Sequence, residues 1–498
     1  MQRLRLLRDD HGWLATAGVT ALAAALRLPA LDRPGALVFD ETYYVKDAWT
    51  LLQVGYEAEW GEDPDPAFEA GDVDGYTTVP SYVVHPAVGK WAIAVGLRTF
   101  GADNAVGWRI GAAVAGIVAV LLLTRIARRL FGSTALGALA GLLLAVDGLA
   151  IVHSRTALLD GFLMVLVLAA FGALLVDRDR ARARLAAATG PPRAPTRWGP
   201  GLGLRPWRLT AGVLLGLAAG TKWSALYFVA VFGLLTVGWD LVARRAAGVG
   251  RPVTGTLVRD AGPAFASIVP VAALTYVATW ASWFASSGAY GRQWAARSPD
   301  QGVTWLPPAL RSLWHYHQEV WGFHTTLTAE HSYAAHPLGW LVQWRPTSFF
   351  YETPEPAQQV CGADRCAQAV TSLGNPLLWW LGTAAVVACV WWVLRRRDGV
   401  AVAALSGIVA GWLPWFAYAQ RTIFTFYAIV VLPWLILSLV WATRRFLAEG
   451  PHREVRRAVA AVLLVLVLAV SAFFYPVWTG QVITFRAWQL HQWLPSWV

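Results

Sequence analysis

Eleven apolar blocks recur along the chain, and they constrain its fold more than any other feature. A helix needs roughly 20 mainly apolar residues to cross the hydrocarbon core of a bilayer. The blocks lie near residues 12–31, 105–124, 134–152, 156–176, 208–221, 223–243, 261–283, 376–394, 400–419, 422–442 and 458–475. Because they run through the whole chain, residues 1–498 are expected to form a single membrane domain.

Composition supports a membrane protein and excludes other classes. The chain is 56% hydrophobic and only 14% charged, with 29 Trp and 3 Cys. These values exclude a disordered chain, a disulfide scaffold and an ordinary soluble enzyme. We therefore predict an all-α polytopic membrane protein with about 11 transmembrane helices.

The distribution of Lys and Arg tests this topology, because one missed span would reverse the sidedness of every later loop. The segments that eleven spans place inside total 90 residues and hold 26 of the 41 cations. The two long outer loops, 32–104 and 284–375, total 165 residues and hold nine. The bias predicts a cytoplasmic amino terminus and an outer carboxyl terminus in the cell membrane. It also explains the basic pI of 9.9 without a nucleic-acid groove.

Two inner segments have other interpretations. Arg3, Arg5 and Arg8 precede an Ala-rich stretch, so a cleaved signal peptide competes with a retained first span. We prefer the retained span, although the alternation of the loops does not by itself decide the matter. Segment 177–208 is expected to be a flexible basic loop near anionic lipid.

The cysteines suggest one cross-link. Cys361 and Cys366 lie in CGADRC in the second outer loop, and their spacing suits a small disulfide in an oxidising compartment. A metal site competes, but two thiols without a nearby His or Cys pair are a weak ligand set. Cys389 lies inside a span and is expected only to pack.

Five cations oppose the inside bias. They stand at the outer ends of different predicted spans, and they are Arg27, Arg109, Arg155, Lys222 and Arg421. Snorkelling to the outer headgroups explains any single one of them. As a set they are better explained by a bound anion, and phosphate is the natural partner of Arg forks and a Lys point charge.

Acidic residues in the first outer loop complement these cations. Residues 32–85 hold twelve Asp and Glu, most of them in a solvated loop. Asp40 and Glu41 differ, because they follow an apolar strip whose spacing suits a helix lying along the interface. Asp40 as a helix N-cap is one interpretation. A carboxylate that accepts a proton near the cations is the other.

The sequence resembles the protein O-mannosyltransferases, which are membrane glycosyltransferases that use a polyprenyl phosphate mannose donor. FDETYYVKDAW (39–49) is the most specific match. Weaker matches follow in the family's order, namely HPAVGKW (85–91), GWRIGAA (107–113), HSRTALLDGFL (153–163), GTKWSALYF (220–228) and RTIFTFYA (421–428). Together they extend over most of the chain.

The resemblance implies a GT-C-type glycosyltransferase fold with amphipathic interface helices and the active site in the first outer loop. It implies that Asp40 is the catalytic carboxylate with Glu41 beside it, that Arg109 engages the donor phosphate and that Arg27 is structural. The charge argument adds three more residues to the phosphate site, which are Arg155, Lys222 and Arg421.

Further candidates surround this set. His85 and Lys90 precede a 15-residue apolar stretch that is too short to span and is expected to be a second interface helix. Acceptor binding and headgroup contact both remain open for them, and Tyr44 joins them as a candidate. Asp160 lies inside the fourth span and is expected to pair with Arg155 or another polar group.

The second outer loop departs from the eukaryotic pattern. Residues 284–375 are too short for the beta-trefoil domain of those members, so the chain resembles the bacterial, especially actinobacterial, version. Arg outnumbers Lys by 38 to 3, which is typical of a GC-rich genome. A decaprenyl-type donor lipid is expected to replace dolichol.

The implied reaction transfers mannose to a Ser or Thr hydroxyl of a secreted polypeptide, with inversion, and the secretion machinery is a candidate partner. No metal or cofactor is expected, although Asp40, Glu41 and Asp47 could form a set of oxygen ligands. One rival function is a related GT-C enzyme with another lipid-linked sugar or a lipid or glycan acceptor. Another is a transporter, which predicts midplane sites and related halves.

Overall fold

The computed structural model describes residues 10–189, 197–448 and 450–498. Arg3, Arg5 and Arg8, and with them the signal-peptide alternative, lie outside the described residues, as does the middle of the inner segment 177–208. The described chain is predominantly helical.

The helices are, in chain order, α1 (Asp10–Arg27), α2 (Glu41–Gln53), α3 (Asp65–Glu69), α4 (Val88–Phe100), α5 (Ala105–Phe131), α6 (Thr134–Val146), α7 (Gly148–Arg155), α8 (Leu159–Thr189), α9 (Pro206–Ala219), α10 (Ala225–Ala246), α11 (Pro252–Thr256), α12 (Gly262–Ala278), α13 (Ala281–Ala285), α14 (Trp294–Arg297), α15 (Pro308–Thr326), α16 (Ala357–Cys361), α17 (Pro376–Arg396), α18 (Gly399–Gly411), α19 (Leu432–Ala448), α20 (Arg453–Trp478) and α21 (Phe485–Leu490). A π-helical turn, Leu257–Ala261, joins α11 to α12. Short 3-10 segments cover Pro337–Val342, Leu413–Tyr418, Thr425–Val431 and Pro495–Trp497.

Eight helical segments of the described chain are long and apolar enough to cross a membrane. The number rises to nine if the pair α6 and α7, which is bent by 60°, counts as one span. The remaining two predicted blocks coincide with α1, of 18 residues, and α9, of 14 residues, which do not meet the same criterion. All eleven predicted blocks therefore fall on helices, and the span count of eleven stays a prediction. The fold is that of a multi-pass membrane protein.

The bend between α6 and α7 is stabilised by Asp147. Its carboxylate caps α7 by accepting from the backbone N–H of Ala150 at 3.1 Å. It also accepts from Asn375 N–H and Trp379 Nε1, both at 3.0 Å, at the start of α17. A buried carboxylate needs such partners, so this residue fixes the broken helix against a distant span.

The described chain contains two small antiparallel sheets that the sequence did not predict. Strands β1 (Ala58–Trp60) and β2 (Tyr76–Pro80) pair within loop 32–104. Strands β3 (Thr347–Glu352) and β4 (Cys366–Ser372) of loop 284–375 form the second sheet with β5 (Val482–Thr484), which follows the last long helix, in the order β3-β4-β5. A disulfide joins Cys361 at the end of α16 to Cys366, the first residue of β4.

Both helices predicted for the first outer loop are present. Helix α2 follows Asp40 and buries Tyr44, Val45 and Leu51 among other residues. Helix α4 begins at Val88, inside the HPAVGK motif, and contains the apolar stretch that was too short to span. Helix α2 packs against α4, and α4 packs against the long helix α5, so the FDETYY motif lies beside residues from distant parts of the sequence.

Candidate active site

Asp40 lines a cavity of about 680 Å³ between loop 32–104, loop 284–375 and the adjacent ends of the long helices. It occupies the N-cap position of α2, yet its carboxylate makes no capping hydrogen bond. The capping interpretation is therefore wrong for this side chain. Its Oδ2 lies 3.4 Å from the Tyr44 hydroxyl, a long contact that leaves the carboxylate open to the cavity.

Burial raises the pKa of Asp40 to about 6. Lys222 opposes this rise, the neighbouring carboxyl of Asp160 adds to it, and the Tyr44 hydrogen bond opposes it. The group is thus ionised at neutral pH but more basic than an ordinary aspartate. That combination suits a group that must accept a proton near neutral pH.

Lys222 faces the same cavity and forms an ion pair with Asp160, with Nζ 2.7 Å from Oδ2. The ammonium also lies 5.1 Å from the centroid of the Tyr427 ring. Of the two partners that the sequence allowed for Asp160, Arg155 is wrong, because the carboxylate pairs with this lysine 62 residues away. Lys222 keeps further N–H donors that a ligand in the cavity can use.

Arg421 supplies a second cation to the cavity. Its guanidinium is half-buried, and its Nε is buried without a hydrogen-bond partner. Among the described residues no carboxylate forms an ion pair with it under 4 Å. A half-buried arginine without a protein partner is suited to bind an anion from outside the chain.

Arg109 and Glu41 lie outside the cavity lining and form an ion pair with each other. Glu41 is fully buried and accepts from Arg109 Nε at 2.9 Å and Nη2 at 2.8 Å. The same carboxylate accepts the backbone N–H groups of Ala157 at 2.7 Å and Val38 at 2.9 Å. Although Glu41 is adjacent to Asp40 in sequence, it therefore has no access to the cavity.

The remaining donors of Arg109 bind backbone carbonyls of the segment before α2. Nη1 donates to the carbonyls of Leu31 and Pro34, and Nη2 donates to that of Ala36. All five N–H donors of this guanidinium thus point at protein oxygens. Arg109 is not among the residues that line the cavity, in contrast to the expectation that groups it with Lys222 and Arg421.

Arg155 has a similar structural position. Its Nη1 donates to the carbonyls of Arg27 at 2.7 Å and Pro29 at 2.8 Å, and its Nη2 donates to Ala30. It lies outside the cavity lining as well. Arg109 and Arg155 therefore fix the backbone from the end of α1 to Ala36, which leads directly into the FDETYY motif.

Arg27 completes this support from inside the membrane domain. The side chain is fully buried and donates to Ser154 Oγ at 3.1 Å and to the carbonyls of Ala145 at 2.9 Å and Leu144 at 3.1 Å. It thereby joins α1 to the bend between α6 and α7. This geometry agrees with a structural role for Arg27.

The three candidates for acceptor or interface contact separate in the structure. Tyr44 and His85 line the cavity, and the two rings lie 6.2 Å apart. Burial lowers the pKa of His85 well below its usual value, so the ring is neutral. Lys90 borders the cavity, but its Nζ is paired with Asp47 at 3.0 Å and Glu57 at 2.9 Å.

Sequence reasoning did not select three aromatic rings of the cavity wall. His324 on α15 stacks on His85 with 5.4 Å between ring centroids, and burial lowers its pKa to about 4. Trp223 and Tyr427 flank Lys222. Two of them lie in the matched motifs GTKWSALYF and RTIFTFYA, but only the fold shows that their rings face the site.

Within the described ranges, no group of three or more His, Cys, Asp or Glu side chains is arranged to hold a metal ion. Asp47, the third member of the possible oxygen set, is paired with Lys90, and Glu41 with Arg109. Asp40, Asp47 and Glu41 therefore do not converge on one point. Metal independence remains a prediction about activity.

Comparisons with known proteins identify the family of this chain. Residues 17–259 match the family model for dolichyl-phosphate-mannose-protein mannosyltransferase, and 309–497 match that for the C-terminal four TMM region of protein-O-mannosyltransferase. The polyprenol-phosphate-mannose protein mannosyltransferase of Mycolicibacterium smegmatis is 41% identical over 506 residues, which covers 98% of this chain and 93% of that protein. The Mycobacterium tuberculosis protein of the same name is 39% identical over 500 residues, covering 98% and 92%.

A solved structure shows the same fold. The Saccharomyces cerevisiae protein O-mannosyltransferase Pmt1-Pmt2 complex bound to the sugar donor superposes with a TM-score of 0.74 at 15% identity, covering 98% of this chain and 93% of that one. The family models and relatives show a multi-pass membrane glycosyltransferase, and its fold is of the GT-C type. Given the family models and the identity along nearly its whole length, the chain belongs to the protein O-mannosyltransferase family.

Proposed function

We propose that this chain transfers mannose from a polyprenyl phosphate mannose to Ser or Thr hydroxyls of secreted proteins, inverting the sugar configuration. The observation that supports this most strongly is that Asp40 shares one cavity with Lys222 and Arg421. A base and two cations are the groups that attack by a hydroxyl and departure of a lipid phosphate require.

Asp40 is proposed to accept the proton of the acceptor hydroxyl while that oxygen attacks the anomeric carbon. The bond from this carbon to the phosphate oxygen breaks, and the lipid phosphate leaves with the electron pair on the opposite face. Lys222 and Arg421 stabilise the charge of the leaving phosphate. Fixed cations can do this without a metal ion, so we propose that no metal or cofactor takes part.

Glu41, Arg109 and Arg155 are proposed to position the site and not to contact the substrates. Their hydrogen bonds hold the backbone before α2, so they determine where the Asp40 carboxylate points. This assignment departs from the phosphate role that the resemblance implies for Arg109, because all its donors are in use within the protein.

Tyr44 and His85 are proposed to contact the acceptor or the sugar, since both face the cavity. His85 Nδ1 is buried without a hydrogen-bond partner, and a neutral imidazole can bond a substrate hydroxyl. Lys90 is proposed to hold Asp47 and Glu57 at the cavity rim.

We propose that the catalytic loop 32–104 and the loop 284–375 face the outside of the cell, with a cytoplasmic amino terminus and an outer carboxyl terminus. The excess of Lys and Arg in the segments on the opposite side supports this orientation. It brings a secreted acceptor, as it emerges from the secretion machinery, to the face where the cavity lies.

The proposed function predicts product in a defined incubation. Purified protein is mixed with polyprenyl phosphate mannose, labelled in the sugar, and a peptide containing Ser and Thr. Label is expected in the peptide as alkali-labile mannose, whereas a matched peptide with Ala at those positions stays unlabelled. Label in a lipid or glycan acceptor instead, with none in the peptide, would favour the rival GT-C reaction.

The raised pKa of Asp40 predicts an acid limb in the pH profile. A base works only when deprotonated, so the rate at subsaturating substrates, which follows kcat/KM and reports the free enzyme, should fall as the pH drops through about 6. His85 and His324 stay neutral in this range and should add no second limb. Initial rates between pH 5 and 8 measure this, and a rate that stays level down to pH 5 would contradict it.

Loss of a cation from the cavity is expected to weaken donor binding. Arg421→Gln removes a charge-assisted hydrogen bond, so the affinity for polyprenyl phosphate should fall by about tenfold or more. Arg297→Gln, which alters an exposed arginine of loop 284–375, serves as the control. Titration in lipid nanodiscs measures the affinity, and equal affinities for the two variants would argue against the phosphate role.

A further inference from the structure

A chain of hydrogen bonds runs from the cavity wall, at the residue next to Lys222, to groups outside the cavity. Trp223 Nε1 donates to the Tyr276 hydroxyl at 2.9 Å. That hydroxyl lies 2.5 Å from His317 Nε2. The other ring nitrogen of His317, Nδ1, lies 2.7 Å from the carbonyl oxygen of Leu313. Three separate elements, the turn between α9 and α10, helix α12 and helix α15, are thus joined in series.

The chain of hydrogen bonds has only one consistent direction of donation. A carbonyl oxygen can only accept, so His317 Nδ1 carries a hydrogen, and in the neutral ring Nε2 must accept. The Tyr276 hydroxyl therefore donates to His317 and is free to accept from Trp223. Burial lowers the pKa of His317, which keeps the ring in the neutral form that this direction needs.

Ring packing reinforces the same connection. The rings of Trp223 and His317 stack with 5.4 Å between centroids, and Trp280 lies 5.0 Å from His317. Tyr276 and Trp223 pack against the buried aromatic cluster of Trp280, Trp283 and Tyr316. The turn that carries Lys222 is therefore anchored to the second outer loop through side chains, in addition to its own backbone hydrogen bonds.

Such anchoring matters because Lys222 must make two contacts at once. Its ammonium is paired with Asp160, and in the proposed function it must also reach the donor phosphate. Electrostatic stabilisation requires a charge held in place before the reaction, and a displacement of roughly 1 Å can cost a large factor in rate. Trp223 follows Lys222 directly, so its side chain determines how this turn is oriented.

We propose that Tyr276 and His317 are positioning residues that hold the Lys222 turn, through Trp223, in the geometry that binds the donor phosphate. The proposal rests on the proposed function of Lys222. It assigns to helix α15 of the second outer loop a role in donor binding, although neither Tyr276 nor His317 lines the cavity.

Two substitutions test the chain. Tyr276→Phe removes the hydroxyl that links Trp223 to His317, and His317→Gln removes the ring from both the bond and the stack. Each is expected to weaken polyprenyl phosphate binding by about tenfold, which corresponds to one lost hydrogen bond, and to raise the donor KM similarly. The acceptor KM should change by less than about twofold, because the acceptor does not bind Lys222.

Matched controls exist on the same elements. Tyr290→Phe alters a tyrosine of the same aromatic cluster that is outside the hydrogen-bond chain, and His315→Gln alters a histidine on the same helix that stacks on Trp294. Both should keep wild-type donor affinity. If Tyr276→Phe and His317→Gln also keep it, or if they raise the donor and acceptor KM equally, the proposal is overturned.

A double-mutant cycle separates this proposal from the function on which it rests. If the chain acts through Lys222, Tyr276→Phe should weaken polyprenyl phosphate binding in the wild type but not in Lys222→Gln. If Lys222→Gln weakens binding and Tyr276→Phe weakens it further by the full factor, only the positioning role fails. If Lys222→Gln binds like the wild type, the phosphate role of Lys222 fails and the positioning role fails with it.

Discussion

Replacing Asp40 with asparagine is expected to lower mannose transfer by about 10²–10⁴-fold, the range that a positioned general base contributes. The amide has the size of the carboxylate but cannot take the hydroxyl proton. Because the Asp40 side chain caps no backbone N–H, the substitution should cost no helix stability. Transfer of labelled mannose to a Ser/Thr peptide, measured as kcat/KM, gives the size of the effect.

The stability of this variant adds a second test. The folded-state pKa of Asp40 is raised to about 6 from the usual 3.8, so its contribution to stability is present below pH 3.8 and is lost as the pH rises through 6. At pH 7 to 8 the neutral Asp40→Asn variant should therefore unfold at the same temperature as the wild type or higher. The control Asp74→Asn, at an exposed position in the same loop, should keep full activity. Activity of Asp40→Asn equal to that of the control would refute the assignment of the base.

Replacing Arg109 with alanine is expected to destabilise the protein by about 3–5 kcal/mol, because it leaves the buried Glu41 carboxylate without its counter-ion. The same change removes the donors to the carbonyls of Leu31, Pro34 and Ala36. The midpoint of thermal unfolding in detergent should fall well below that of the wild type. Arg98→Ala, an exposed arginine at the end of α4, should leave the midpoint unchanged.

The two roles considered for Arg109 predict different losses. A positioning role lowers stability and activity together, and it predicts that Arg109→Lys, which keeps the charge but not the fork, loses part of both. A phosphate role predicts a stable protein with weak donor binding. An Arg109→Ala variant that unfolds like the wild type and loses only polyprenyl phosphate affinity would contradict the structural assignment.

Adjacent carboxylates with different surroundings explain how one short motif can supply both support and chemistry. Glu41 is saturated by two N–H bonds from Arg109 and two backbone N–H groups, so it is held as a buried anion. Asp40 has only the long contact to Tyr44 and faces the cavity. Their side chains diverge because Asp40 precedes the first turn of α2 and Glu41 begins it.

The elements that the sequence predicts well are those set by local pattern. Apolar blocks of membrane-crossing length all became helices, and the apolar strip around FDETYY became α2. The strands β1 to β5 were not predicted, because they are short and lie in segments between or after the spans, where hydropathy carries little signal. The disulfide of Cys361 and Cys366 followed from spacing alone.

The site was predicted in part, and the errors have one physical cause. Arg109, Arg155, Lys222 and Arg421 look alike in sequence, since each is a cation at the outer end of a span. They differ in their surroundings: Arg109 and Arg155 bind backbone carbonyls of residues 27–36, and Arg109 also binds Glu41, whereas Lys222 and Arg421 face the cavity. Those carbonyls belong to an irregular segment without periodicity, so no sequence pattern indicates where they point. The pairing of Lys222 with Asp160 depends in the same way on helix packing.

The most direct test of the account is a structure of the protein in lipid nanodiscs with a polyprenyl phosphate bound. We predict the phosphate within about 4 Å of both Lys222 Nζ and the Arg421 guanidinium, facing Asp40, with Arg109 still paired to Glu41. A phosphate bound instead to Arg109, with Glu41 released, would contradict the division of the cations into two groups. So would a phosphate bound outside the cavity that Asp40 lines.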